Sequence, residues 1–278
     1  MSYRCFTVDV ADGVAHLQLS RPDQLNSMTP DFWRELPEIV DGISTAATAR
    51  VVVISSTGRH FSAGMDLSVF TGGSTAAPDA ELGRRQAWLR SQVRVLQHTF
   101  TALEKARVPV LAAVQGGCIG AGLDLVTACD MRYASTDAFF CVQEINLAMT
   151  ADVGTLQRLG TVMPAGAARE LAFTGRRLPA ARAFELGLVQ ELYDDHDALV
   201  AGVLDTAREI ASKSPLAIWG TKVAMNFARD NGVDASLEQI ATWQAGMFQP
   251  DDMMEAFAAK AEKRVPRYPD LLPEPRGL

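Results

Sequence analysis

Three acidic side chains stand where apolar neighbours dominate. Asp124 lies between Leu123 and Leu125, Glu144 is flanked by Val142 and Ile145, and Asp152 follows Leu147-Ala148-Met149. Burial disfavours a charged carboxylate, so an acid in such a run is either paired structurally or tuned to move a proton. Taken singly, each residue fits structural pairing or loop capping at least as well as catalysis. Two glycine turns add a second ingredient. In His60-Phe61-Ser62-Ala63-Gly64-Met65-Asp66-Leu67, small residues let a ligand approach the main chain and leave a backbone N–H exposed, although a tight strand-to-helix turn explains the same composition. In Gly116-Gly117-Cys118-Ile119-Gly120-Ala121-Gly122-Leu123-Asp124, glycines lead into a helix, and helix N-termini attract oxyanions. The glycines at 117, 120 and 122 do not follow the dinucleotide G-x-G-x-x-G spacing, and no Gly-Lys-Ser/Thr completes a P-loop.

The elements that must hold these residues follow from periodicity. Residues 14–19 alternate as a strand, with Ala15, Leu17 and Leu19 on one face. Thr29-Pro30 opens a helix that Pro37 is expected to kink or shorten. The run 51–55 reads as a fully buried strand. Leu89, Val93, Leu96, Phe100 and Leu103 form one stripe on a long helix over 80–106. A strand at 108–114, the second glycine turn with a short helix to 128, and short strands near 130–134 and 139–142 complete a layered α/β core. Beyond Tyr193 the chain reads as helical, with segments at 197–213, 215–230, 234–248 and 250–264. The loop 71–80 is rich in Gly, Ser and Pro and is expected to be mobile.

Composition narrows the function classes. The 278 residues, with 48% hydrophobic and 21% charged, describe a globular enzyme with one large core. A net charge of −7 disfavours nucleic acid or an anionic membrane as a partner. Four cysteines and four histidines show no metal-ligand spacing, so no metal is expected, and the cysteines are expected to be reduced and mostly buried. No G-x-S-x-G elbow or H-E-x-x-H cluster offers a competing site. His16 reads as a strand residue, and His60 as either a solvated loop residue or the edge of a ligand entrance. The opening MSYRCFTVDV carries no apolar leader, no stretch is long enough to span a membrane, and Arg-Gly-Leu at the end is not the Ser-Lys-Leu address. A cytoplasmic location is expected.

These motifs in this order resemble the crotonase superfamily, that of enoyl-CoA hydratases and isomerases. The resemblance runs nearly end to end, through Arg21-Pro22-Asp23 with Asn26, the turn 62–66, the turn 116–122 and Thr155-Leu156-Gln157-Arg158-Leu159. It implies a ββα spiral core over 1–195 and a C-terminal helical region over 196–278 used in trimerisation, giving a homotrimer or a dimer of trimers. It implies an acyl-CoA thioester substrate without metal or redox cofactor, and an oxyanion hole from the N–H groups of Met65 and Ala121. Substrate contacts are expected from Asn26, Ser62, Ala63, Gly64, Asp66, Leu67, Gly117 and Gly120.

Within the superfamily, an acid, a second acid 20 residues on and an aspartate 8 beyond resemble the dienoyl-CoA isomerases. Hydratases usually carry two glutamates and a glycine at these three places. The resemblance assigns Glu144 to the proton at C2, Asp152 to C6, and Asp124 to orienting or tuning the other two. The alternatives are a 2-enoyl-CoA hydratase or a weakly active acyl-CoA-binding homologue. Three positions depart from the pattern. Gln24-Leu25 lacks a basic residue, Lys260 stands where an aromatic is common, and Ala121 replaces a frequent glycine, which requires a negative φ there.

Overall fold

The computed structural model describes residues 3–66, 69 and 79–275. The chain opens with a hairpin, β1 (Phe6–Ala11) and β2 (Val14–Leu19), joined by Asp12-Gly13 with φ of 52° and 76°. Two positive φ values in a two-residue loop match the twist of the strands they join. Helix α1 (Pro30–Ala46) runs unbroken through Pro37, so the expected shortening does not occur. The missing N–H removes one helical bond, while Phe32, Trp33, Leu36, Ile39, Val40 and Ile43 hold both sides of the proline against the core.

Strand β3 (Val51–Ser56) follows, then helix α2 (Leu82–Lys105), β4 (Val110–Val114), β5 (Gly117–Ile119) and α3 (Ala121–Ala128). After β6 (Met131–Ser135) and β7 (Phe139–Cys141), a 3₁₀ turn at Glu144–Leu147 leads to α4 (Thr155–Val162) and α5 (Ala165–Thr174). The core closes with β8 (Leu178–Pro179), α6 (Ala180–Glu185) and β9 (Glu191–Tyr193). The large sheet has the order β1-β2-β3-β4-β6-β9, parallel except for β1, and β5-β7-β8 form a smaller sheet.

Alternation along the central strands divides the core in two. Val52, Ile54, Val110, Ala112 and Val114 face the main cluster with Phe32, Phe100 and Leu103, whereas Val51, Val53, Leu111 and Ala113 face the other way. The second face is covered by α7 (His196–Ala211) through Leu199, Val203, Ala207 and Ala211. Asp195 caps α7 by accepting from the Ala198 amide at 2.8 Å, a bond worth about 1 kcal/mol. The first helix beyond Tyr193 is therefore a core layer. Three further helices, α8 (Pro215–Asn231), α9 (Val233–Met247) and α10 (Pro250–Glu262), complete the C-terminal region.

The stripe on α2 is buried only toward its C-terminal end. Phe100 and Leu103 are fully buried, Val93 and Leu96 are half-buried, and Leu89 is exposed, because the first turns reach past the core. All four cysteines are free and buried. The loop expected at 71–80 lies almost wholly outside the described residues.

Candidate active site

The two glycine turns are laced together by main-chain bonds. Ser62 N–H donates to Gly117 O at 3.1 Å, and Ile119 N–H donates to Ser62 O at 3.1 Å. On its other side the first turn pairs with Met28, whose N–H donates to Gly64 O at 2.8 Å and whose carbonyl accepts from Asp66 N–H at 3.1 Å. Gly64 has φ +86°, and a Cβ there would lie 2.6 Å from Ile119 O and 3.2 Å from Ala121 N. Only glycine permits this approach, and it sets Met65 beside Ala121. Among the described residues neither the Met65 nor the Ala121 N–H has a hydrogen-bond acceptor in the chain. Ala121 is the first residue of α3, where an N–H has no intrahelical partner, and its φ is not positive. The irregular φ of +54° falls on Gly120 instead.

The small sheet brings in the acids. Pairing of Ile119 with Cys141 puts the chain after β7 beside Gly120, whose N–H donates to Cys141 O at 2.9 Å. Glu144, three residues on, then rests against Gly120: a Cβ built there would be 3.1 Å from Glu144 Oε1. Glu144 is half-buried and its pKa is pushed up to about 7, first by desolvation and then by the negative charge of Asp124. Asp124 on α3 is fully buried. Its Oδ1 accepts from the Thr155 amide at 2.5 Å, and its Oδ2 has no partner among the described residues. Desolvation raises it to about 6, with Thr155 and Arg158 opposing that shift. Asp152 is exposed at the edge of the site, its pKa raised by partial desolvation, and its main-chain carbonyl accepts from Gln97 on α2 at 2.7 Å. Its charge also acts on both other acids. The structure thus gathers Asp124, Glu144 and Asp152 at one place, at graded depth.

Several residues expected to touch substrate hold the scaffold of the turn. Asn26 is buried, and its side chain accepts from Arg21 N–H at 2.9 Å and donates to Thr57 O at 2.7 Å and His60 O at 3.0 Å. Ser62 is fully buried, donating to Asn26 O at 2.8 Å and accepting from Gly64 N–H at 3.1 Å. Their side-chain polar atoms bond to main chain and shape the turn. Asp66 accepts from Ser27 Oγ at 2.6 Å. Gly117 and Gly120 use their N–H groups on His60 Nδ1 and Cys141 O. Ala63 lies half-buried in the turn, and Leu67 lies outside the described residues.

His60 clamps the two glycine turns: Nδ1 accepts from Gly117 N–H at 2.8 Å, and burial keeps its pKa below the usual value. It is thereby held as a neutral acceptor. This partner is a main-chain group 57 positions away, which carries no side-chain signal in sequence. His16 lies on β2, with Nε2 2.7 Å from Ser55 Oγ. Lys260 is exposed on α10.

A half-buried carboxyl beside two free N–H donors, with a second acid at the rim, suits proton transfer next to a carbonyl that becomes an oxyanion. Comparison with known proteins gives the family. The family model for enoyl-CoA hydratase/isomerase matches residues 9–271, and the chain belongs to this family. It is 40% identical to an Arabidopsis thaliana protein named delta(3,5)-delta(2,4)-dienoyl-CoA isomerase, peroxisomal, over 93% of each chain. It is 42% identical to the mitochondrial protein of that name from Mus musculus, over 90% of this chain and 77% of the mouse protein. The crystal structure of enoyl-CoA hydratase from Bacillus anthracis matches with a TM-score of 0.85 at 31% identity, covering 95% of this chain and 99% of that one.

Proposed function

We propose that the protein isomerises 3,5-dienoyl-CoA to 2,4-dienoyl-CoA. The observation that carries this reading is the pairing of Glu144, held against Gly120 beside the Met65 and Ala121 N–H groups, with a separate acid, Asp152, at the exposed rim. The relatives named as dienoyl-CoA isomerases support it. The thioester carbonyl sits in the pair of N–H groups. Glu144 takes a proton from C2, the charge spreads over the oxyanion and the dienolate, and Asp152 delivers a proton to C6. Bond order shifts from C3–C4 and C5–C6 to C2–C3 and C4–C5. One proton leaves and one arrives, so no metal, redox cofactor or water is consumed.

Each acid's environment fits its part. Burial makes Glu144 a stronger base than a free carboxylate, and each N–H donor contributes about 2.7–4 kcal/mol to stabilising the oxyanion. Exposure lets Asp152 recover its proton from solvent between turnovers. Asp124 raises the basicity of Glu144 by its charge. The exposed apolar residues Met225, Val233, Leu237, Met254 and Phe257 on the C-terminal helices support assembly into a homotrimer or a dimer of trimers. No helix among the described residues is long and apolar enough to cross a membrane. The cytoplasmic location expected from sequence is retained as a proposal, against relatives named for the peroxisome and the mitochondrion.

The test is ultraviolet absorbance with purified protein and, separately, a 3,5-dienoyl-CoA and a 2-enoyl-CoA. Growth of the conjugated 2,4-dienoyl thioester band is expected from the first, and little change from the second. Rapid loss of the enoyl band by hydration, with no reaction of the dienoyl thioester, overturns the reading.

A further inference from the structure

His60 takes no part in the proton transfer above, yet its ring stands at the head of the hydrogen-bond ladder that joins the two glycine turns. Two glycines make room for it. A Cβ on Gly116, at φ +54°, would stand 2.8 Å from Nδ1, and one on Gly117 would stand 3.3 Å from it. With that space open, Nδ1 accepts from Gly117 N–H at 2.8 Å. The next rungs follow in register: Gly117 O accepts from Ser62 N–H at 3.1 Å, and Ser62 O accepts from Ile119 N–H at 3.1 Å. The ladder stops just short of Met65 on one turn and Ala121 on the other. The main chain of His60 is fixed as well, its carbonyl accepting from Asn26 Nδ2 at 3.0 Å. The ring meets Phe139 edge-on, with centroids 6.2 Å apart, and the Arg177 guanidinium lies 4.4 Å from the centre of that phenyl ring.

A backbone amide can only donate, so Nδ1 is bare and the proton of the neutral ring lies on Nε2. We infer that His60 is a positioning residue whose neutral imidazole holds the Met65 and Ala121 N–H donors in place, and that protonation of the ring releases them. A proton on Nδ1 sets two donors face to face, leaves the Gly117 N–H without its acceptor and breaks the first rung of the ladder. The surroundings resist that proton. Burial disfavours the charged ring, and the charged groups facing it are Arg59 in the same loop, Arg177 ahead of β8 and Asp137 ahead of β7, two cations against one carboxylate. The inference rests on the Met65 and Ala121 N–H groups forming the oxyanion hole of the proposed isomerase. It gives catalysis an acid-side dependence separate from that of Glu144, whose protonation removes the base and leaves the donors where they are.

Wild-type isomerisation of a 3,5-dienoyl-CoA is measured first; its absence would overturn the isomerase reading and this inference with it. The pH dependence of kcat and KM is then recorded for His60→Asn and His60→Leu. Asparagine keeps an acceptor oxygen at the same branch of the side chain and cannot take a charge, whereas leucine fills the space without an acceptor. His60→Leu should lower kcat by about 10–100-fold with KM little changed, because the lost placement matters most for the oxyanion. His60→Asn should keep kcat near wild type at pH 8. On the acid side, wild-type log kcat/KM should fall more steeply than that of His60→Asn, which has one group fewer to protonate. Nitrogen-15 NMR of labelled histidine, with the ring assigned through His60→Asn, reports the tautomer without reference to activity. It should show Nδ1 unprotonated at neutral pH and taking up a proton as the steeper loss sets in. In an active wild type, three results would each overturn the inference and leave the isomerase reading intact: a normal kcat in His60→Leu, equal acid slopes in wild type and His60→Asn, or a proton on Nδ1 at neutral pH. If His60→Leu does not fold, the acid slope of His60→Asn and the tautomer decide.

Discussion

The Glu144 carboxylate rests against Gly120, so close that a Cβ built on the glycine would stand 3.1 Å from Oε1. Gly120 also precedes the Ala121 N–H, so one residue sets both the base and an oxyanion donor. Gly120→Ala should therefore injure catalysis more than stability. Its φ of +54° adds strain of about 1–3 kcal/mol, while displacement of Glu144 should lower kcat by about 100-fold. Circular dichroism and steady-state rates on the same sample check this; an unfolded variant, or one with normal kcat, would contradict it.

The Ala121 N–H can be removed without removing a side chain. Proline is well tolerated at the first position of a helix, where the N–H makes no helical bond. Ala121→Pro should retain α3 and lower kcat by roughly 10²–10³-fold, as for loss of one oxyanion donor. A folded Ala121→Pro with kcat within a few-fold of wild type would place the carbonyl elsewhere.

Holding Asp124 in the core has a pH-dependent cost. Burial raises its pKa from 3.8 to about 6, so between these values the folded chain keeps a proton that the unfolded chain releases. Stability contributed by the neutral acid is full below about 3.8 and falls as pH rises to about 6, a loss on the order of 3 kcal/mol. Asp124→Asn escapes that loss, keeping an oxygen to accept from Thr155. Its Tm should exceed wild type at pH 8 and differ little at pH 4, while activity falls. Differential scanning calorimetry at the two pH values decides, and equal Tm differences at both would refute the account.

Lys222 anchors α8 to the core. Its buried Nζ donates to Leu103 O at 2.8 Å, Val108 O at 3.0 Å and Asp130 Oδ2 at 2.7 Å. Lys222→Met keeps the aliphatic stem but strands these acceptors, and should cost about 3 kcal/mol. Urea unfolding should show the lowered midpoint, with the kcat of the folded fraction unchanged.

The parts of this site legible in sequence are those whose signal is local. Acids in apolar runs marked Asp124 and Glu144, and glycine clusters marked both turns. Periodicity placed the helices beyond Tyr193 to within a few residues, but it could not tell that α7 belongs to the sheet, because packing partners leave no mark on spacing. Strand β1 went unread although Asp12-Gly13 is a hairpin signal, since its own residues are mostly exposed. Pro37 does not end the helix, because tertiary contacts outweigh one lost helical bond. The main-chain bonds of Asn26 and Ser62 were not legible, because a polar residue bonded to main chain is indistinguishable in sequence from one that faces a ligand. The role of His60 depends on a partner 57 positions away.

The central claim is that two acids divide the proton transfer, Glu144 at C2 and Asp152 at C6. The most direct measurement incubates Asp152→Asn with a 3,5-dienoyl-CoA in deuterium oxide, following the conjugated product by absorbance and deuterium by mass spectrometry. The account predicts loss of product by at least about 100-fold, as for removal of a positioned acid, while deuterium still enters C2 through Glu144. Product formation at the wild-type rate, or loss of C2 exchange together with isomerisation, would contradict it.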